Sequence, residues 1–169
     1  ENYTLYLGFY GAFLETSRSD PKGAEKQYLA ALEYKPNDCL SLGNYAVMMH
    51  RVLKDYKKAD EYYKRAIQAY PNHASILGKY ANFLKHVHRD YDGAEQYYLK
   101  AIKANPQHAD SLGNYAVLLH GVKQQYDKAQ KYYKQAIAAE PSHTNNLGNY
   151  ALFLAEVRNE HKQAEKLYL

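Results

Sequence analysis

The chain has 169 residues, 46% of them hydrophobic and 24% charged, and carries a formal net charge of +4. This composition excludes disordered and fibrous classes of protein, and the charge is too small to indicate a nucleic-acid-binding protein by itself. No apolar run approaches the roughly 20 residues that a membrane-spanning helix needs. The unusual feature is 20 Tyr and 4 Phe without any Trp, a content that first suggests stacking on bases or sugars.

A repeat with a period of 35 residues runs through the chain. Glycines follow this interval at Gly8, Gly43, Gly78, Gly113 and Gly148, as do alanines at Ala24, Ala59, Ala94, Ala129 and Ala164 and prolines at Pro36, Pro71, Pro106 and Pro141. Such self-similarity is typical of repeat architectures. It predicts a single array over residues 1–169, with units 1–38, 39–73, 74–108, 109–143 and a truncated unit 144–169.

Each unit is predicted to contain two helices. In the first unit Asp20 precedes Pro21, a pattern typical of a helix N-cap, and Asp55 and Asp90 hold the same place later. In the third unit apolar residues follow helical spacing, at Leu77, Tyr80, Ala81 and Leu84 and then at Tyr91, Ala94, Tyr98, Ala101 and Ile102. A proline ends each second helix. Because an isolated pair leaves an apolar face open, stacking of successive pairs into an all-α solenoid is expected.

The second helices resemble those of tetratricopeptide repeats. Ala59, Tyr63 and Ala66, followed by Pro71, show the family's spacing, and the first helix is similar but altered, with Leu42, Tyr45, Ala46 and Met49 in the places of the family's Trp, Leu, small residue and Tyr. The resemblance implies a right-handed α-solenoid of helix-turn-helix units. The period is one residue longer than the family's usual value of about 34, and we expect the additional residue in the turn between the two helices.

Two related families fit less well. Pentatricopeptide repeats share the 35-residue period and bind single-stranded RNA, but they have a longer approach to the proline than the stretch from Tyr63 to Pro71. HAT repeats depend on a Trp in the first helix, and this chain has none. Most of the tyrosines recur in columns of the repeat, so we expect them to pack between layers.

The resemblance implies that the first helices line a concave groove. One column of that face is Phe9, Asn44, Lys79, Asn114 and Asn149, and Asn82 lies in the next column. An asparagine amide can pair with any peptide backbone, which is similar to the asparagine ladder of some tetratricopeptide superhelices. Lys79 interrupts this ladder. The alternative is that these asparagines cap turns or face water.

Basic side chains are expected in the middle of the same groove. They are His50, Arg51, Lys79, Lys85, His86 and His120. Together they predict a preference for an acidic or carboxylate-bearing partner segment, with Lys85, Arg51, His50 and His120 selecting its acidic side chains. A merely solvated basic face is the alternative.

The recurring glycines and histidines also have more than one explanation. A glycine inside a helix costs about 1 kcal/mol relative to alanine, so the glycine column indicates close helix packing or an open floor for a ligand. His73, His108 and His143 are expected at the surface or at helix caps, because neighbouring repeats lie too far apart to share a metal ion. No metal site is therefore predicted.

No motif of an enzyme or of a cofactor site is present in the sequence, and Cys39 occupies a small-residue position of the repeat. The expected function is a scaffold that binds a partner peptide in the groove, inside the cell and in the cytoplasm. Two alternatives are single-stranded RNA binding, disfavoured because Phe9 is the only aromatic of the groove columns, and end-to-end self-association through Ala164, Leu167 and Tyr168.

Overall fold

The structure, a computed structural model, describes residues 2–168 apart from the side chain of Asn2. Glu1 and Leu169, which belong to the first and last predicted units, lie outside the described residues. Over residues 2–168 the chain forms helices and no strand, which confirms the all-α prediction. The ten helices of this range are α1 Asn2–Ser17, α2 Pro21–Tyr34, α3 Cys39–Met48, α4 Tyr56–Ala69, α5 Ala74–Phe83, α6 Tyr91–Ala104, α7 Ala109–Gly121, α8 Tyr126–Ala139, α9 Thr144–Glu156 and α10 His161–Lys166, and π-helical turns follow α3 at Met49–Leu53 and α5 at Leu84–His88.

The predicted aspartate caps start the second helices. The carboxylate of Asp20 accepts from the backbone N–H of Gly23 at 2.9 Å, and Asp55 and Asp90 do the same at the starts of α4 and α6. Each cap satisfies a backbone donor that the first turn leaves unpaired. At the other end, the residue before each proline leaves the helical conformation, as Lys35 does before Pro36.

The turn from first to second helix has the same form in all five pairs. A non-glycine residue with a left-handed backbone lies in each turn: Ser19, Lys54, Arg89, Gln124 and Asn159. The next residue donates its N–H to a carbonyl six residues earlier, as Asp55 does to Met49 at 3.0 Å. A Schellman closure spans five residues, so this turn is one residue wider. It lies where we expect the additional residue of the 35-residue period.

The chain divides into two compact units, residues 1–76 and 77–169. In the first, α1 packs along α2 and α3 packs along α4, while α3 also contacts both α1 and α2. Its core is made of small residues around large ones: Ala24, Tyr28, Ala31, Leu42 and Tyr63 are all fully buried. The tyrosines of this column therefore serve packing.

The second compact unit repeats this arrangement. Helix α7 packs along α8 and contacts α6 and α9, and α9 also contacts α8 and α10. Tyr98 and Tyr133 are fully buried, and the hydroxyl of Tyr115 donates to a carboxylate oxygen of Glu95 at 2.7 Å. As α3 does against α2 in the first unit, α7 and α9 each lie against the second helix of the pair before, α6 and α8.

The glycine column marks the closest approach between first helices. A Cβ added at Gly43 would lie 2.9 Å from Ile76 in the first unit, and one added at Gly78 would lie 2.5 Å from the hydroxyl of Ser111 in the second. Real Cβ contacts are not this short, so glycine is required for the helices to meet. Packing therefore explains these glycines.

Candidate functional site

The asparagine column lies in the middle of the first helices. Asn44 is on α3, Asn114 on α7 and Asn149 on α9, and each is half-buried. None of them caps a turn, and no hydrogen bond joins their side-chain amides to any of the described residues. Each amide thus keeps its donors and its acceptor available for an external group. Lys79 occupies the same column on α5 and is also half-buried.

A second column of polar side chains, which includes His50, Lys85 and His120 at intervals of one repeat period, lies on the same segments of the first helices. Two of its members contact buried tyrosine hydroxyls. Nδ1 of His50 lies 3.3 Å from the hydroxyl of Tyr63, and Nδ1 of His120 lies 3.3 Å from that of Tyr133. Burial raises the pKa of both tyrosines, which keeps their hydroxyls protonated. These two histidines therefore have internal partners, which sequence reasoning alone did not foresee.

Asn82 is engaged in the same way. Its side-chain oxygen accepts a hydrogen bond of 2.5 Å from the hydroxyl of Tyr98, so it is less available to a ligand than Asn114.

Burial lowers the pKa of His120, and burial together with the charge of Lys85 lowers that of His86. Both imidazoles are uncharged at neutral pH, which removes them as sources of positive charge there.

Lys85 stands in the same column as His50 and His120 but differs from them in carrying a buried charge. Its side chain is only 8% exposed, and it forms no salt bridge with any carboxylate of residues 2–168. Burial lowers the pKa of its amine to about 8, because a charge in a poorly hydrated environment is unfavourable. The amine is still mostly protonated at pH 7, and an external anion would compensate its charge. Arg51, by contrast, is exposed to solvent.

A small cleft of about 60 Å³ opens between α1 and α3 in the first compact unit. Its lining is mainly apolar and consists of Thr4, Leu5, Gly8, Phe9, Asp38, Leu40, Ser41 and Asn44. The hydroxyl of Thr4 is buried there without a hydrogen-bond partner, whereas Asp38 is engaged by Ser41. Sequence reasoning identified only Phe9 and Asn44 as groove residues, because the cleft depends on how two helices meet.

Two of the three histidines that follow the prolines cap the starts of helices. Nδ1 of His108 lies 3.3 Å from the backbone nitrogen of Ser111 at the start of α7, and Nδ1 of His143 lies 3.4 Å from that of Asn146 at the start of α9. For these two the prediction of a cap position is confirmed. Among the described residues there is no group of His, Cys, Asp and Glu that could hold a metal ion, and none of the helices described is both long and apolar enough to cross a membrane.

Comparison with known structures shows the fold. PilF of Pseudomonas aeruginosa superposes with a TM-score of 0.86 at 20% identity, covering 99% of this chain and 75% of its own. The type IV pilus biogenesis factor PilW gives the same TM-score and identity, with 99% and 77% covered. YrrB, described as a TPR protein with an unusual peptide-binding site, gives 0.64 at 16% identity, with 95% and 80% covered. No curated protein matches the sequence significantly.

Two family models match the sequence itself. The model described as "TmcB, TPR repeats" matches residues 40–111, and that described as "Tetratricopeptide repeat" matches residues 97–131. Together they span residues 40–131, more than half of the chain, and both describe the helix pairs seen in the structure. The α-solenoid predicted from the repeat is confirmed, and the chain belongs to the tetratricopeptide repeat family.

Proposed function

We propose that this protein is a non-catalytic scaffold, a single array of five units, that binds an extended segment of a partner protein along its first helices. The observation that carries the proposal is the pair of unpaired amides at Asn114 and Asn149 on successive first helices of the second compact unit, together with the unpaired amide of Asn44 in the first. Tetratricopeptide repeats serve generally as protein-interaction scaffolds. The peptide-binding site named for YrrB adds support from a protein of similar fold.

The amides suit an extended backbone. Packed helices lie about 10 Å apart and an extended chain advances about 3.3 Å per residue, so one asparagine would meet every third residue of the segment. Each amide would donate to a peptide carbonyl and accept from a peptide N–H. Recognition of this kind depends on backbone conformation and leaves sequence selection to other groups.

Positively charged side chains would select for acidic residues in the partner segment. Lys85, in the second compact unit, lacks a counter-ion within residues 2–168, and Arg51, in the first, is exposed. A carboxylate of the partner would form a charge-assisted hydrogen bond with the Lys85 amine. Acidic segments are therefore the preferred ligands in this proposal, with Lys85 and Arg51 as their contacts.

The cleft between α1 and α3 supplies the second selection. Leu5, Phe9 and Leu40 are exposed apolar side chains on its walls, and the Thr4 hydroxyl and the Asn44 amide are unpaired polar groups within it. An aliphatic side chain of the partner would bury apolar surface there, while its backbone pairs with Asn44. The preferred segment thus combines an apolar residue with acidic ones.

The test selects ligands from a displayed library of random linear peptides and measures their affinities by fluorescence polarisation. Replacing two amides in Asn114→Ala/Asn149→Ala should weaken binding about 30-fold or more, since the loss of each amide should cost at least about 1 kcal/mol. The matched control is Gln68→Ala/Gln135→Ala, which removes two exposed amides from second helices and should bind like the wild type. A peptide methylated at its central backbone nitrogens should also bind more weakly.

Two results would count against the proposal. If the double asparagine variant binds selected peptides as tightly as the wild type, the amides do not contact the ligand. If no peptide is selected but single-stranded RNA binds tightly to the purified protein, nucleic acid replaces a partner protein as the ligand.

We also propose an intracellular, cytoplasmic location. Its support is the single cysteine, Cys39, which has no second cysteine for an internal disulfide, as is usual in a reducing compartment. Fractionation of cells that express the tagged full-length protein tests this. Recovery outside the cytosolic fraction would overturn it.

A further inference from the structure

The third helix pair carries three hydrogen-bonding side chains together on one helical segment. Asn82, Lys85 and His86 lie at the end of α5 and in the π-helical turn that follows it. Because they are three and four residues apart, their side chains share one face of this segment. At the place of Asn82 the other pairs have apolar side chains, which are Ala12, Val47, Val117 and Leu152. The combination therefore belongs to one pair and is not a feature of the repeat.

The Tyr98 hydroxyl fixes the orientation of the Asn82 amide. Tyr98 is fully buried, and burial raises its pKa, so its hydroxyl remains a donor. It donates to the side-chain oxygen of Asn82 at 2.5 Å, which leaves the two N–H groups of the amide nitrogen for another partner. Among the described residues none accepts a hydrogen bond from this nitrogen. Asn82 therefore presents donors to an external group.

Lys85 supplies a positive charge on the same face. Its side chain is only 8% exposed, and no carboxylate in the part of the chain that the structure describes forms a salt bridge with it. One repeat period later, His120 contacts the buried hydroxyl of Tyr133. The corresponding hydroxyl near Lys85 is that of Tyr98, which is bonded to Asn82 instead. A buried charge without a counter-ion is unfavourable, so binding of an anion here is favoured.

His86 is the third donor of this face. Its pKa is lowered by partial burial and by the charge of Lys85, and a doubly charged anion would oppose both effects and favour a second positive charge on the imidazole. A carboxylate has a single charge and two oxygens, whereas a phosphate monoester has a charge of about −1.5 to −2 and three terminal oxygens. Three donor groups and two positive charges match the phosphate monoester better.

We propose that Asn82, Lys85 and His86 form a site for a phosphate monoester, carried by a phosphorylated serine of the partner segment. This inference rests on the proposed function and specifies the acidic group that Lys85 binds. The three phosphate oxygens would accept hydrogen bonds from the amine, the amide and the imidazole. Phosphorylation of the partner would then control its affinity for this protein. The phosphodiesters of nucleic acids have one charge each and fit the site less well.

The first experiment uses peptides selected by display, synthesised with serine, glutamate or phosphoserine at each position in turn. In fluorescence polarisation, phosphoserine at one position should bind about 10-fold more tightly than glutamate there. Lys85→Gln should abolish this advantage. So should Asn82→Asp, which keeps an acceptor for Tyr98 but replaces the donor by a negative charge. The matched controls Lys134→Gln and Gln135→Glu, on the exposed side of α8, should preserve the advantage, and circular dichroism verifies that every variant is folded.

The second experiment needs no partner peptide. N-acetyl-O-phosphoserine amide is titrated into the protein while NMR follows the imidazole of His86, with dimethyl phosphate and acetate as comparisons. The phosphoserine derivative should give a saturable shift in the wild type and none in Lys85→Gln, and the other two compounds should give little or no shift in either protein.

The two experiments separate this site from the proposed function. If selected peptides bind but phosphoserine nowhere exceeds glutamate, the phosphate site is wrong and the proposed function stands. A His86 signal that the phosphoserine derivative does not shift also overturns the site. If no peptide is selected but the derivative shifts His86 in the wild type and not in Lys85→Gln, the site is supported and the proposed function fails. Single-stranded RNA that displaces the derivative more effectively than any phosphopeptide would overturn a partner protein as the source of the phosphate.

Discussion

Asn44 and His50 lie less than two turns apart in one helical segment, yet their side chains have different partners. The Asn44 amide has none among residues 2–168, whereas His50 contacts the hydroxyl of Tyr63. The difference arises because a buried tyrosine hydroxyl needs a hydrogen-bond partner. His50 lies next to such a hydroxyl, that of Tyr63, whereas Asn44 does not. At the residue scale, the ligand-binding capacity of the first helices therefore resides in the side chains that the core does not use.

Lys85 should make the stability of the protein depend on pH. Its pKa is about 8 in the folded chain, below the usual 10.5, so the unfolded chain binds more protons between these values. The free energy of unfolding should then rise with pH, by about 2 kcal/mol from pH 7.5 to 9.5. Urea titrations of the wild type and of Lys85→Met isolate this contribution, because the variant lacks the amine and the difference cancels all other groups. A difference that stays constant over this range would contradict the burial of the charge.

The unpaired hydroxyl of Thr4 should destabilise the free protein. Thr4 is 2% exposed, and Thr4→Val replaces its hydroxyl by a methyl group of similar shape. We expect the free energy of unfolding to rise by about 1 kcal/mol, the usual effect of removing a buried polar group without a partner. Ser41→Ala is the matched control, since the Ser41 hydroxyl donates to Asp38 at 2.7 Å and its loss should destabilise. If both substitutions lower stability in urea, Thr4 has a partner after all.

At the element scale, the spacing of the first helices is set by glycine. The column Gly43, Gly78 and Gly113 faces a side chain of the next first helix, while Gly148 faces open space. Helix propensity is equally poor at all of these positions, so any benefit of glycine must come from the neighbouring helix. The same residue type in the same register is thus required at one position and dispensable at another.

Alanine substitutions should therefore change stability in opposite directions. A Cβ at Gly113 would clash with the Asn146 side-chain oxygen and displace an amide that donates to the Ala109 carbonyl at 3.1 Å, so Gly113→Ala should cost about 1 kcal/mol net. Gly148→Ala meets no obstacle and should stabilise by about 1 kcal/mol. Thermal and urea unfolding of the two variants measure this. Equal effects at the two sites would exclude close packing as the reason for the glycines.

At the scale of the whole molecule, a net charge of +4 gives only a weak general attraction for anions. Local charge at Lys85 and Arg51 must therefore account for any preference for acidic segments. The two compact units have the same internal arrangement, so an unpaired asparagine amide occurs in both. The positive charges of Lys85 and Arg51 do not recur in this way. Affinity and selectivity are thus expected to come from different parts of the surface.

Salt should separate these two contributions. Raising sodium chloride from about 50 to about 500 mM shortens the screening length. The affinity of the protein for acidic peptides should fall several-fold, while its affinity for neutral peptides should hardly change. Lys85→Gln should abolish most of this salt dependence, and Lys134→Gln, on the exposed side of α8, should preserve it. Fluorescence polarisation at both salt concentrations provides the measurement. Acidic peptides whose affinity does not change with salt would refute an electrostatic preference.

Most of the fold could be predicted from the sequence. The aspartate caps, the prolines after second helices and the 35-residue period are local signals, and local hydrogen bonding suffices to begin and end a helix. The glycine column could be recognised as unusual, but its explanation required the distance from Gly78 to Ser111, residues that lie on different helices. The cleft around Thr4 was missed for the same reason.

The sequence by itself determined the helices, their order and the family, because these depend on spacing along the chain. Only the tertiary structure decided which polar side chains remain available, because burial and hydrogen bonding depend on residues that are distant in sequence. Tyr63 and Tyr133 engage His50 and His120 across a turn, and Lys85 is buried without a counter-ion.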